Sequence, residues 1–358
     1  MPSDSPSDPT APDPVPAGTP ADGPPATRLD VVCIGNALVD VLASASDEDL
    51  VSLDLVKGTM ALVDHERSAA IYERMGSTTE ASGGSAANTA AGVAALGGRA
   101  AFLGRVADDL FGQAFTHDIR SVGVAFDPVP TTAVPGEVVS GHCLVLVTDD
   151  AERTMATHLG VASDFASSDL HAGHLSSAQV VYLEGYLWEQ PQAKAAIREA
   201  IEQAHLGDGA VALSVSDPFC VQNHRAEFLD LVNGEIEMLF ANEDEITMLF
   251  EVSRFDDAVA AVAETGVLAV LTRGAAGCVV VTAAGPVEVP AAPVERVVDT
   301  TGAGDLFAAG FLYGMTNGLS PEESARLGGV CAAEVISHVG ARPQADLRAL
   351  AVEAGLFA

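Results

Sequence analysis

The residues best suited to do chemistry together lie in one stretch, Asp299-Thr300-Thr301-Gly302-Ala303-Gly304-Asp305. Val297-Val298 before it read as the end of a buried strand. Leu306-Phe307-Ala308-Ala309-Gly310-Phe311-Leu312 after it read as an apolar helix packed inside the protein. A Gly loop that opens a helix leaves backbone N–H groups without intrahelical partners, and the helix dipole behind them favours an anion. Gly302 and Gly304 have no Cβ, so a phosphate can closely approach the amides of Gly302, Ala303 and Gly304. Asp305 is the odd member, because a carboxylate repels an anion. It makes sense facing a neutral hydroxyl, whose proton it accepts as the oxygen attacks phosphorus. The plainer alternative is a strand-to-helix turn in which Asp305 only complements the dipole. No G-x-x-x-x-G-K-[ST] occurs, so a P-loop is absent, and Phe307 stands where a dinucleotide fingerprint needs its third Gly.

Other polar residues fall at predicted element ends. Leu29-Asp30-Val31-Val32-Cys33-Ile34 reads as a first buried strand ending at Gly35-Asn36. Ligands of open α/β sheets sit beyond the carboxyl ends of strands, so Asn36 and Asp40 either face a substrate or are a turn Asn and a solvated Asp. Ser82-Gly83-Gly84-Ser85-Ala86-Ala87-Asn88 opens a helix running to Leu96 and stopped by Gly97-Gly98, with Asn88 one turn inside. Phe102–Gly112 reads as a strand followed by a capped helix. Arg153, after Asp149-Asp150-Ala151-Glu152, is either a salt-bridged surface arginine or a guanidinium that clamps phosphate oxygens.

These groups need a scaffold that brings distant strand ends together. After Tyr182 the pattern alternates strands and helices, with strands over 180–184, 210–215, 238–242 and 268–272, as in βαβ units of a mostly parallel sheet. Asn242-x-x-Glu245 is a capping-box signal at one strand end, and Thr272-Arg273-Gly274-Ala275-Ala276-Gly277 is a Gly turn at another. Ser320-Pro321-Glu322-Glu323 starts a later helix carrying Gly329 and Ala333, small residues that suit either a planar ligand or close helix packing. His338 near its end reads as a cap.

Composition bounds the rest. The 358 residues, 48% hydrophobic, can form one large α/β domain or two ordinary ones. Residues 1–28 hold nine of the 19 prolines and few large apolar side chains, which predicts a disordered tail rather than a secretory signal. The five scattered cysteines lie mostly in apolar runs and read as buried thiols of a reducing, cytoplasmic compartment. No apolar run is long enough for a membrane span. A net charge of −33 argues against nucleic-acid binding. Lys57 and Lys194 are the only lysines, which fits either a GC-rich genome or a salt-adapted cytoplasm.

The string Asp299–Asp305 resembles the C-terminal signature of the ribokinase-like sugar and nucleoside kinases, the PfkB family, and the other motifs follow in that family's order over residues 29–350. The resemblance implies a three-layer α/β/α domain over 29–358 with a mostly parallel central sheet and a small β-sheet lid from about 40–66 and 121–160. It implies ATP-dependent phosphorylation of a hydroxymethyl group, with Asp305 as base and Gly302, Ala303, Gly304, Arg153 and Mg²⁺ stabilising the transferring phosphoryl group. Asn36, Asp40, Gly83, Gly84, Ser85 and Asn88 would bind the sugar ring. Asn242 and Glu245 would organise water and Mg²⁺ near the ATP phosphates. Thr272, Arg273, Gly274 and Gly277 match the nucleotide-side loop, and Gly329 and Ala333 would face adenine. Asp299, Thr301 and the Ser337–Ala341 segment would hold a monovalent cation, K⁺ being the expected ion. Gly35-Asn36-Ala37-Leu38-Val39-Asp40, Arg153-Thr154-Met155 and Ser216-Asp217-Pro218-Phe219 look most like the bacterial adenosine-kinase-like branch. Adenosine is therefore the first expectation, with ribose or fructose second. A catalytically silent nucleoside-binding regulator is the third reading, opposed by the intact Asp305. Monomer and homodimer both remain open.

Overall fold

A computed structural model describes residues 28–129, 131–150 and 152–357. The predicted tail lies outside the described residues except for Arg28, whose guanidinium donates to the Asp208 carbonyl at 2.9 Å. The strands run in chain order β1 (Leu29–Ile34), β2 (Leu38–Ser44), β3 (Met60–Leu62), β4 (Thr79–Gly83), β5 (Ala100–Leu103), β6 (Gly141–Val147) and β7 (Arg153–His158). They continue as β8 (Ala178–Glu184), β9 (Ala210–Ser214), β10 (Met238–Asn242), β11 (Leu268–Thr272), β12 (Cys278–Thr282) and β13 (Gly285–Val289).

Eight strands form one sheet in the order β13-β12-β11-β10-β9-β8-β1-β5. From β5 to β11 every pair is parallel, and β12 and β13 add an antiparallel edge. The central strands are apolar almost without alternation because helices cover both faces. Along β1, Val31 and Cys33 enter one core and Val32 and Ile34 the other. The helices Ser85–Ala95, Ala303–Thr316 and Pro321–Val335 build the first core, and Pro191–Leu206, Pro218–Val232 and Phe255–Thr265 the second. Helix Ala303–Thr316 is pinned between its neighbours by small residues. A Cβ on Gly310 would lie 2.8 Å from the Gly328 Cα, and one on Gly92 would lie 2.6 Å from the Ala309 Cβ. This close packing fixes the helix N-terminus that carries Asp305. Among the described residues no helix is long and apolar enough to cross a membrane.

Five strands form a second, smaller sheet in the order β3-β7-β6-β2-β4. Its register sets Asp40 beside Cys143 on one side and Ala81 on the other, and Cys143 beside Thr157. With a side-chain period of two, Leu38, Asp40, Cys143, Met155 and Thr157 share a face that lines a cavity between the two sheets.

Three expectations need correction. Val297-Val298 ends no strand: residues 290–300 are loop, Val297 is 57% exposed, and the Val298 N–H donates to the Ile336 carbonyl. Pro290 and Pro293 lie in this run and remove ladder donors from it. The small sheet also includes β4, outside the two stretches expected to build it. Residues 121–140 contribute no strand to it among the described residues, only isolated bridges at Ala125 and at Val134–Val138.

Candidate active site

The carboxyl ends of β8, β9, β10 and β11, the N-terminus of helix Ala303–Thr316 and the inner face of the small sheet enclose a cavity of about 590 Å³. Of the residues singled out by sequence, Asn36, Asp40, Gly84, Ser85, Asn88, Asn242, Glu245, Thr272, Thr301, Gly302, Gly304 and Asp305 line it. Gly302 is the helix N-cap at φ +79°, a left-handed conformation that favours glycine. The amides of Gly302 and Gly304 have no hydrogen-bond partner among the described residues. The Ala303 amide turns back to the Thr300 carbonyl at 3.2 Å, closing a turn. Two of the three expected anion-hole amides are therefore free, and the third is spent on the loop.

Asp305 Oδ1 accepts from the Ser85 hydroxyl at 2.7 Å and Oδ2 from the Asn88 side-chain amide at 2.9 Å. Its recessed position raises its pKa above the ordinary carboxylate value, against the lowering effect of Asn88, Ser85 and the Arg342 charge. Desolvation likewise pushes Asp40 up to about 6, opposed by Arg342 and Arg153. A Cβ on Gly83 would lie 2.5 Å from Asp40 Oδ2, so that glycine makes room for the carboxylate without itself lining the cavity. Asn36 Oδ1 and Asn88 Oδ1 are buried acceptors with no protein partner among the described residues. Buried polar atoms rarely stay unpaired, so both are suited to accept from a ligand hydroxyl.

Two functional groups escaped the sequence reading. Glu184, at the end of β8, is 1% exposed and accepts from the Asn36 backbone and side chain and from the Ala86 amide. Burial pushes it up to about 7 despite those donors. The rule that strand carboxyl ends carry ligands could have found it. Arg342 lies behind the Gly83-Gly84 turn, and nothing in its local sequence marks it.

Arg153, on β7, does not line the cavity; it pairs with Asp299, whose other donors are the Gly340 amide and the Thr301 amide and hydroxyl. A carboxylate offers about four acceptor positions, and here four donors use them. Asp299 therefore does not fit a cation while Arg153 holds it. Asn242 and Glu245 form the reciprocal capping box, each Glu245 oxygen accepting once from Asn242, at 2.6 and 2.9 Å. Burial raises Glu245 to about 7. It borders the cavity with acceptor capacity left on both oxygens, which fits a hydrated divalent cation.

The remaining residues expected on the nucleotide side lie apart from these. Arg273 pairs with Glu243 and stacks over the Phe255 ring, and its amide donates to Gly277 across the turn through Gly274. Ala333 lines a second cavity of about 790 Å³ with Ala292, Val330 and Ser337, and Gly329 faces Ala292 beside it.

A doubly covered, mostly parallel sheet, a free-amide helix start and a raised carboxylate facing the cavity define a phosphotransferase of the ribokinase-like class. The sequence matches the model of the pfkB family carbohydrate kinases over residues 47–347, and the chain belongs to that family. It is 30% identical to an adenosine kinase of Saccharomyces cerevisiae over 333 residues, covering 87% of this chain and 95% of the yeast protein. Among solved structures it resembles an adenosine kinase from Sinorhizobium meliloti, with 45% identity, a TM-score of 0.85 and coverage of 92% and 100%. It also resembles a probable sugar kinase from Rhizobium etli, with 43% identity, a TM-score of 0.87 and coverage of 93% and 100%.

Proposed function

We propose that the protein phosphorylates the 5′-hydroxymethyl group of a nucleoside, adenosine first, from ATP. The observation that carries this reading is the apolar share of this cavity's lining. Besides Asn36, Asp40, Gly84 and Asn88 it is lined by Leu38, Met60, Leu62, Met155 and Phe219. Met60, Leu62 and Phe219 are 40, 54 and 53% exposed, apolar surface that a free sugar would leave against water and a base would cover. The adenosine kinases of yeast and S. meliloti among the relatives support the same choice.

In this reading the ribose hydroxyls meet Asp40 and the unpartnered oxygens of Asn36 and Asn88. Ser85 and Asn88 hold Asp305 toward the 5′-oxygen. Asp305 takes the proton as that oxygen bonds to the γ-phosphorus and the bond to the bridging oxygen of ADP breaks. The Gly302 and Gly304 amides donate to the transferring phosphoryl oxygens. Bound Mg²⁺, held through water by Glu245 with Asn242, would supply charge neutralisation for the phosphates. The adenine of ATP would lie in the second cavity against Gly329 and Ala333, with the Thr272–Gly277 turn on the phosphate side. The small sheet would act as a lid that excludes water, a competing acceptor. Arg153, carried on that sheet, would leave Asp299 for the phosphoryl group as the lid closes.

A coupled ADP-release assay over adenosine, other nucleosides, ribose and fructose tests the substrate. We expect kcat/KM for adenosine at least ~10-fold above either free sugar, the margin that about 1.4 kcal/mol of base burial in the transition state provides. The relative described as a probable sugar kinase supports ribose or fructose as the second reading. If a free sugar wins, adenosine fails as the substrate and phosphotransfer stands.

A further inference from the structure

Three consecutive residues reach both halves of the site. The Gly340 amide donates to Asp299 Oδ2 at 2.7 Å. Ala341 packs against Gly302 so closely that a Cβ there would lie 2.8 Å from the Ala341 Cβ. Arg342 then crosses to the other side. Its Nη1 donates to the Ala87 carbonyl at 2.8 Å, its Nη2 to the Ser82 hydroxyl at 3.2 Å and its Nε to the Ser82 carbonyl at 3.3 Å. These bonds hold the strand end before Gly83-Gly84 and the first turn of the helix carrying Ser85 and Asn88. All three acceptors are neutral, and Arg342 forms no salt bridge among the described residues.

An arginine in a partly desolvated wall normally takes a carboxylate partner. Arg342 instead leaves its charge directed at three acids on three elements: Asp40 on β2, Asp305 on helix Ala303–Thr316 and Asp118 on helix Leu110–Ser121. Asp118 Oδ2 accepts from the Ser82 amide at 3.3 Å, so Ser82 is held by both groups. Arg153, the other cation acting on Asp40, is committed to Asp299. Desolvation lowers Arg342 to about 10, and it remains a cation at neutral pH.

We propose that Arg342 is a positioning residue for phosphoryl transfer. Its guanidinium fixes the Gly83-Gly84 turn and the Ser85–Asn88 helix start against the anion-hole loop, with its charge left on the side of Asp305. The proposal rests on Asp305 being the base.

Arg342→Gln keeps donors for the neutral acceptors and removes the charge, whereas Arg342→Lys keeps the charge and loses the fork. The readout is kcat and acceptor KM from pH 5 to 9 for the full chain, with adenosine or the sugar that the panel selects. Loss of the cation disfavours the ionised base, so the acid limb of kcat in Arg342→Gln is expected to move up by about one pH unit. On the falling part of that limb its kcat should be roughly 10-fold below wild type at the same pH, recovering to within about 3-fold at the alkaline plateau. Arg342→Lys should keep the wild-type limb and raise the acceptor KM several-fold. An unmoved limb in folded Arg342→Gln overturns the proposal, as does a limb moved equally in Arg342→Lys. Failure of both variants to fold would assign the guanidinium to the fold alone and overturn it too. Asp305→Asn, run alongside, separates the two assignments. Near-wild-type turnover there removes the base itself, whereas an error about Arg342 alone leaves that variant inactive and the Arg342 profiles unmoved.

Discussion

Asp305→Asn is expected to lower kcat by roughly 10²–10⁴, the usual worth of a positioned base, while leaving ATP affinity within a few-fold of wild type. The substitution is close to isosteric and its environment can adapt. The Ser85 hydroxyl can still donate to an amide oxygen, and Asn88, whose Oδ1 has no partner, can turn that oxygen to receive the new N–H. What disappears is the ability to take a proton. Stability should move the other way. Burial raises the folded-state pKa of Asp305, so its contribution to stability is present below the ordinary carboxylate value and is lost as pH rises through the raised one. At pH 8 the neutral amide removes that loss, and the variant should melt at or above the wild-type temperature, with the difference closing on acidification. In the wild-type enzyme the same raised pKa makes kcat fall as pH drops through it. Thermal melts and single-turnover rates at two pH values check both halves. Wild-type turnover would take Asp305 out of the mechanism, and a melt several degrees lower would make it a structural residue.

The sequence reading did best where local chemistry and tertiary demand coincide. β8, β10 and β11 were legible because a doubly covered parallel strand must be apolar along its whole length. The starts of the helices after Asn242 and Ser320 were legible because a capping box names its own partners three residues apart, and both boxes form. β4 was not. Thr79-Glu80-Ala81-Ser82-Gly83 has little strand propensity and is extended because β2 supplies its ladder, Leu38 to Gly83 through Leu42 to Thr79. Val297-Val298 misled in the opposite sense: Val297 is exposed and the Val298 amide is taken by the Ile336 carbonyl, so these β-branched residues join no ladder and stay in a loop.

The site divides along the same line. The Gly loop, Asp305, Asn36 and Asn88 could be singled out because each sits at an element end whose chemistry is local. The pairing of Arg153 with Asp299 spans 146 positions, and the bonds of Arg342 span 255 and 260. No spacing rule reaches that far. Arg342 is harder still, because its partners are mostly backbone carbonyls, which every residue has.

Gly84→Ala should be as damaging as loss of the base, through geometry instead of chemistry. Gly84 is the N-cap of helix Ser85–Ala95 at φ +92° and ψ 129°, a conformation closed to L side chains. A Cβ there would fall on the Asn36 carbonyl oxygen, which is backbone and cannot swing aside. The chain must either hold the strain, worth about 1–3 kcal/mol, or rotate the turn. Rotation displaces Ser85 and Asn88, the two donors that hold Asp305, and Asn36, whose backbone and side-chain amides are fixed by Glu184. A displacement of 1 Å at a reacting centre costs on the order of 10²-fold. We therefore expect kcat/KM for the acceptor to fall at least ~10²-fold, with KM raised as well as kcat lowered, because this turn also borders the ring site. The proposed nucleotide side is built from other loops, so ATP-analogue affinity should change little. Gly76→Ala is the control, since a Cβ at Gly76 meets nothing within 4 Å and its φ is not in the left-handed region. A Gly84→Ala enzyme with wild-type acceptor KM would show that the turn can shift without moving the ring site, and would separate the Gly83-Gly84 pair from substrate binding.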